Sequence, residues 1–335
     1  DVSLVGSEMC IRDRSYNEWD QLKKVIVGVA DHAKIPDIDI SLRCVNYADK
    51  LDETEIIKGP YPQRVIDETN EDLETLCKFL QNENVEVLRP EKTDCKYYNY
   101  CPRDSVFVYG DLQMATPMPI RARRGEWRAF EHHLTNPVNI RCYHESALYN
   151  TDCIGNKDVL ALTEFEPAFD AANILRANDD VLYLVSNSAN RLGSALLQGA
   201  LGDKAKVHKL ENVYSFMHLD STVAFLKEGL LLANPTRIKS KDDLPGPFKN
   251  WDIIWCPEPV DIGHYPRYCN SSTWINMNLF SVNTKLVVLE EQQEPTRIEL
   301  EKHGIECAML PMRHSRTLGG TFHCVTLDLE RKADV

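Results

Sequence analysis

The 335-residue chain has no apolar run near the roughly 18 to 20 residues that carry a helix across a bilayer, so no membrane-spanning helix is expected. It is also short of basic residues. Lysine and arginine number 38 against 51 aspartates and glutamates, a formal net charge of −13, and the basic stripe of a nucleic-acid-binding surface is missing. Neither nucleic acid nor membrane is therefore expected as a partner. The acidity suits a cationic small substrate, or simply solubility. No CxxC pair occurs among the eleven cysteines, whose number is odd and which run from Cys10 to Cys324. Cys95 and Cys101 lack a second pair to complete a ligand set, so no metal is expected. Dispersed, unpaired thiols point to a reducing compartment, and the expected location is the cytoplasm. Finally, no Gly-, Ser- or Pro-rich linker divides the chain, which argues for one domain.

What is present is an ordinary globular composition, 43% apolar and 27% charged, long enough to bury a substantial core. The first fourteen residues stand apart. LVGSEMCIRD (4–13) resembles a translated sequencing-library adapter and has neither the apolar core of a signal peptide nor the amphipathicity of a transit peptide. Residues 1–14 are therefore expected to be non-native or a disordered terminus, with a single catalytic domain over 15–335.

Folded sequence is expected from about Trp19. Residues 24–28 (KVIVG) read as a buried strand. Residues 62–82 place Val65, Ile66, Leu73, Leu76, Cys77 and Leu80 at helical spacing, and residues 85–90 read as a second strand, giving a β-α-β unit. A strand–turn–strand theme then recurs at 173–186, 221–235 and 272–291, and more loosely at 104–117. Helices are expected over 191–199 and 295–303, and a surface excursion over 135–157. Polar residues head these units: Asp104, Asp170, Asp220, Ser272 and Cys324, separated by 66, 50, 52 and 52 residues. Modules set around an axis would bring these side chains to a shared centre.

Each candidate has a bland reading beside a chemical one. Cys324 follows the pair Gly319-Gly320 and precedes an apolar strand, so a loop could present its thiol, although a buried structural cysteine is as ordinary. His323 is a conceivable base, but neighbouring strand residues face opposite ways. His218 and Asp220, two apart on an expected strand, share a face and could move protons or form a structural pair. Asp170 could cap a turn. Asp104 could do the same, with Arg103 as its ion-pair partner. Together, one thiol, one histidine and three carboxylates suit attack on a planar cationic carbon. Carboxylates would hold the forks of a guanidinium while a thiolate attacks and a histidine protonates the departing amine.

FDAAN (169–173), MHLDST (217–222), NPTR (234–237), NSSTWINMN (270–278) and GGTFHCVTLD (319–328), with CPRD (101–104) and NEWDQLKKVIVG (17–28), resemble the arginine:glycine and inosamine-phosphate amidinotransferases. The resemblance runs in order from residue 17 to 330. It implies an α/β fold, a five-bladed pseudo-symmetric α/β propeller of ββαβ modules, with no cofactor. It further implies Cys324 as nucleophile, His218 as general acid and base, and Asp170 as its partner carboxylate. Asp104 and Asp220 would hold the guanidinium, and Arg237, Ser271 and Ser272 the amino-acid end of the donor. The implied substrates are L-arginine and an acceptor amine, with glycine the leading acceptor, and a homodimer is expected. Thr321 departs from the usual third glycine. Met217 and Ser271-Ser272 resemble the glycine-using branch, whereas Ser215 does not and VDIG (260–263) resembles the inosamine-phosphate branch. Transfer to another amine, such as an inosamine phosphate or a natural-product precursor, hydrolysis to citrulline and a non-catalytic binder are the alternatives.

Overall fold

Apolar residues concentrated in QLKKVIV form β1 (Gln21–Val27), whose Leu22, Val25, Ile26 and Val27 are wholly buried. The computed structural model describes residues 14–333. Of the adapter-like segment, residues 1–13 lie outside the described residues, whereas Arg14 is tied down by its backbone N–H to Arg331 O and an ion pair with Asp111 at 3.0 Å. Order thus begins before Trp19, with Ser15, Asn17 and Glu18 already buried.

After β1 come β2 (Lys34–Ile35), α1 (Ile40–Val45), β3 (Gly59–Pro60) and the twenty-residue α2 (Gln63–Asn82). The expected apolar positions of α2 all face inward, and β4 (Glu86–Leu88) then returns parallel to β1. The short α3 (Pro102–Ser105) opens the second module, which comprises β5 (Val106–Tyr109), β6 (Leu112–Ala115) and β7 (Val138–Asn139). The third is β8 (Ile174–Ala177), β9 (Asp180–Leu184), α4 (Arg191–Leu201) and β10 (Lys206–Leu210). The fourth is β11 (Val223–Lys227), β12 (Leu230–Ala233) and β13 (Asp252–Trp255). The fifth is β14 (Phe280–Asn283), β15 (Leu286–Glu290), α5 (Glu294–Lys302) and β16 (Glu306–Leu310). After α6 (Ser315–Leu318), β17 (Thr326–Lys332) returns to pair antiparallel with β1, so that both ends of the chain share one sheet.

Among the described residues five three-stranded sheets result, each an antiparallel pair extended by a parallel third strand: β17-β1-β4, β5-β6-β7, β8-β9-β10, β11-β12-β13 and β14-β15-β16. The fold is α/β and propeller-like. Across modules, β8 packs against β11, β14 against β1, and β17 against β5.

The expectation of a helix in every crossover fails in two modules. Between β6 and β7 and between β12 and β13 the chain makes 3-10 turns. Pro117 and Pro119 in the first, and Pro235, Pro245 and Pro247 in the second, remove N–H donors and clash with the preceding turn of an α-helix. The expected excursion over 135–157 begins too early, because Val138–Asn139 is already the third strand of its sheet.

The modules are tied together by buried charge. Asp328 on β17 accepts from Arg176 Nη2 on β8 at 2.7 Å, Arg331 Nε at 2.6 Å and Ser15 Oγ at 2.7 Å, and pairs with Arg103 Nη2 of α3 at 2.8 Å. Glu18 takes the other edge of Arg176, with Nε at 2.8 Å and Nη2 at 2.9 Å. Arg103 therefore pairs with Asp328 rather than its neighbour Asp104. Burial alone would raise both carboxylates, but Arg176 and Arg103 outweigh it and hold Glu18 and Asp328 well below the usual range.

Asp328→Ala should cost about 3–5 kcal/mol, because it strands buried guanidinium groups, and urea denaturation will measure it. Since both folded carboxylates titrate below their unfolded values of about 4, their stabilisation is present above that pH and is lost as pH falls through the folded values. Wild-type stability should therefore drop progressively below about pH 5, and the variant's should drop less.

Candidate active site

The turns that lead into the inner strands of the modules converge. Asp104 ends in α3 before β5, Asp170 precedes a 3-10 turn (Ala171–Asn173) into β8, Asp220 lies just before β11, and Cys324 just before β17. Cys324 Sγ lies 3.3 Å from Asp220 Oδ2, and His218 Nε2 lies 3.0 Å from Asp170 Oδ2. The Cys324 thiol is also among the groups that raise the His218 pKa, so thiol, imidazole and carboxylates form one electrostatically linked group. Cys324, Asp170, Asp104 and Asp220 are all buried.

Ser272 does not occupy the fifth position. It caps the 3-10 turn Thr273–Met277 at the cavity's edge, and Asn278, just before β14, takes its place beside the thiol. Asn278 Nδ2 donates to Cys324 Sγ at 3.2 Å, while its Oδ1 accepts the backbone N–H groups of His323 (3.0 Å) and Cys324 (3.2 Å). One amide thus orients both the sulfur and the loop that carries it. Thr321, in place of the usual glycine, ties this arrangement further, its hydroxyl lying 3.0 Å from Asn278 Oδ1. Gly320 is required by close approach: a Cβ there would sit 2.9 Å from Cys101 Sγ and 3.0 Å from Cys324 Cβ.

His323 reaches the same Asp220 oxygen as the Cys324 thiol. Its Nδ1 lies 3.1 Å from Asp220 Oδ2 and its Nε2 3.5 Å from Glu18 Oε2, which joins the site to the buried charge cluster. Arg123 was not singled out from the sequence, yet it holds Asp104 Oδ2 at 2.8 Å and grips Glu126 through Nε at 3.0 Å. Glu18, Arg123 and Asn278 lay within matched or neighbouring segments, but only their contacts mark them.

The electrostatics are those of a site waiting for a cation. Hydrogen bonding of the Cys324 thiol toward Cys101, then burial and the Asp220 charge, push that thiol well above its ordinary value, with His218 opposing. Burial disfavours charge on His218, but Asp170 and Asp104 outweigh it and raise its pKa well above the usual imidazole range. Burial likewise raises Asp104 despite Arg123. Asp220 stays low, because hydrogen bonding to His323 and the nearby imidazoles overcome its burial. Asp104 Oδ1 and Asp220 Oδ1 are buried and have no hydrogen-bond partner among the described residues. Unpaired buried acceptors are costly, and a planar donor with several N–H groups would satisfy both.

A cavity of about 460 Å³ opens over this centre, lined by His218, Asp220, Met217, Arg237, Ser271 and Ser272 among others. Arg237 Nη1 bonds only to neutral oxygens, those of Ser215 (3.0 Å), Ser221 (2.8 Å) and Thr222 (2.7 Å), and burial lowers its pKa to about 10. A half-buried guanidinium with no carboxylate partner among the described residues is ready for an anionic group. The cavity thus pairs an acidic floor that accepts a cation with a basic wall that accepts an anion, the polarity of an amino acid bearing a distal cation.

No protein-family profile matches the chain. Individual proteins do. The chain is 40% identical over 337 residues to inosamine-phosphate amidinotransferase 1 of Streptomyces glaucescens, covering 94% of this chain and 96% of that protein. It is 31% identical over 356 residues to the mitochondrial glycine amidinotransferase of Xenopus tropicalis, covering 95% and 82% respectively. Among solved structures, the inosamine-phosphate amidinotransferase of Streptomyces griseus superposes with a TM-score of 0.90 at 37% identity, covering 96% of this chain and 98% of that one.

The raised thiol pKa has a direct consequence for the free protein. Alkylation of Cys324 by iodoacetamide, followed by mass spectrometry, should accelerate with pH and show no plateau below about pH 9, because the thiolate fraction is still rising there. Asp220→Asn removes a negative charge beside the sulfur and should move the profile to lower pH. A wild-type plateau at neutral pH would instead reveal a resting thiolate.

Proposed function

The chain belongs to the amidinotransferase family, and from that premise we propose that it transfers the amidino group of L-arginine through Cys324 to an acceptor amine. The observation that carries the proposal is the pair of buried, unpartnered carboxylate oxygens beside a buried thiol. Arginine fits the polarity of the cavity. Its guanidinium lies between Asp104 and Asp220, and its carboxylate meets Arg237, with Ser271 and Ser272 beside the amino-acid end.

Arrival of the guanidinium neutralises the acidic surroundings that hold the thiol proton on, which favours thiolate formation next to the electrophilic carbon. The sulfur bonds to that carbon as its bond to the side-chain nitrogen breaks. His218 gives the departing nitrogen a proton and takes up the thiol proton, so ornithine leaves as a neutral amine and a cationic amidino-thioether remains. The neutral acceptor amine then attacks the same carbon, His218 giving its proton to the departing sulfur and taking up the one the amine sheds. The carbon–sulfur bond breaks and the thiol is restored. Asp170 keeps the imidazole oriented and charged between these transfers, the role of a partner carboxylate.

For the acceptor, the leading reading is an amine bearing a phosphate, of the inosamine-phosphate class. The greater identity with those enzymes supports it, and so does one contact. Asp261 of the VDIG segment pairs with Arg316 at 2.5 Å, fixing a guanidinium in the wall of a cavity that Lys50 also lines, where an anionic acceptor would be received. Glycine, expected from Met217 and Ser271-Ser272, is the second reading, since all three residues line the same cavity. In this proposal the chain is one catalytic domain over 15–335, its five sheets are the blades of a closed propeller, and it works in the cytoplasm as a homodimer.

Incubation with arginine and a panel of amines tests the reaction. Ornithine should form only when an acceptor is present, and an inosamine phosphate should outpace glycine in kcat/KM. Citrulline formed regardless of amine would replace transfer by hydrolysis. Cys324→Ala should abolish turnover while retaining arginine binding. Equal ornithine formation by wild type and this variant would remove Cys324 from the mechanism.

A further inference from the structure

A second cavity, of about 660 Å³, lies apart from the one over Cys324 and carries charge opposite to that of the chain as a whole. Its walls present Lys96, Arg121, Arg124, Arg128 and Arg141, against two carboxylates, Asp94 and Glu126. Both carboxylates are already engaged: Asp94 accepts from Lys34 Nζ at 2.7 Å, and Glu126 is buried in the grip of Arg123. Arg121 is engaged as well, through His144 O at 2.6 Å and Asp39 at 3.6 Å. Lys96, Arg124, Arg128 and Arg141 have neither a side-chain hydrogen bond nor an ion pair among the described residues.

On a protein of net charge −13, four uncompensated cations around one concavity are not explained by a mixed solvated surface. Like charges confined around a low-dielectric concavity raise the local potential and concentrate counter-anions there. Arginine supplies planar N–H forks that match the oxygens of a phosphate, and the volume is that of a small-molecule site. Asn99, buried in the same wall, leaves its Oδ1 without a partner, an acceptor suited to a hydroxyl on the same ligand.

The floor of this cavity is also the back of the active site. Glu126 lines it, Arg123 binds Glu126 on one side and Asp104 on the other, and the charge of Asp104 acts on the His218 imidazole. An anion above Glu126 competes for the field of Arg123 and alters how completely Arg123 neutralises Asp104. We propose that this cavity is a second binding site, for a multiply charged phosphorylated small molecule, whose occupancy reaches the arginine-binding carboxylate through Glu126 and Arg123.

Isothermal titration calorimetry at 0.15 M salt, with inorganic pyrophosphate as probe and citrate as a carboxylate control, tests the site without any turnover. Wild type should bind pyrophosphate more tightly than citrate. The variant Arg124→Ala/Arg128→Ala/Arg141→Ala should bind it weaker by about tenfold per lost guanidinium, with an unchanged far-ultraviolet spectrum and unchanged basal activity. Pyrophosphate should shift the wild-type affinity for arginine and leave that of the triple variant alone. Equal binding by wild type and variant, binding that vanishes at this salt concentration, or equal affinity for citrate would each overturn the proposal. Because binding is read without catalysis, failure of the proposed transfer reaction would leave this result intact.

Discussion

Everything at the centre of this protein depends on a buried group of opposite charges, Glu18 and Asp328 around Arg176 and Arg103. Ions taken out of water must be compensated by one another, so such a cluster forms only when all its members arrive together. Its members come from the N-terminal segment, α3, β8 and β17, which are far apart in sequence. The cluster therefore acts as a register lock: β17 can sit beside β1 in only one way that also leaves Arg176 doubly paired. Because Cys324 lies two residues before β17 begins, that register also sets the position of the thiol.

The same charges reach the reaction centre through His323. Its ring lies between Glu18 and Asp220, and Asp220 in turn faces the thiol. A carboxylate held ionised deep in a protein needs a donor behind it, and His323 serves Asp220 as Arg123 serves Asp104. The site is thus acidic toward its cavity and basic behind it. That layering leaves two carboxylates with free oxygens for a cation, Asp220 held low by its donors and Asp104 raised by burial and its acidic neighbours. A thiol whose proton is held by acidic surroundings is quiet until a cation arrives, which limits wasteful side reactions.

Much of this was legible from residue order. The amphipathic spacing of α2, the strand–turn–strand recurrence and the glycines before Cys324 each correspond to observed structure, because local periodicity and close approach are local constraints. Cys324, His218, Asp170, Asp104 and Asp220 do meet. Ser272 misled because equal spacing was taken to mean equivalent position. The 3-10 turn of residues 273–277 inserts between it and β14 and hands the place to Asn278. The crossovers between β6 and β7 and between β12 and β13 lack α-helices for a reason written in their prolines, which the expectation of a uniform module passed over.

By itself, the sequence determined the elements, the kind of chemistry and four of the five residues that head the inner strands, since these rest on local pattern and on side-chain type. Tertiary structure alone decided which polar residues are partners. Arg103 binds Asp328 and not Asp104, Arg123 joins Asp104 to Glu126, and Asn278 orients the thiol. The reason is physical. Burial makes an unpaired charge or amide expensive, so each takes whatever complement the folded modules place within hydrogen-bond reach, and that reach crosses as many as 313 residues of chain, as between Ser15 and Asp328.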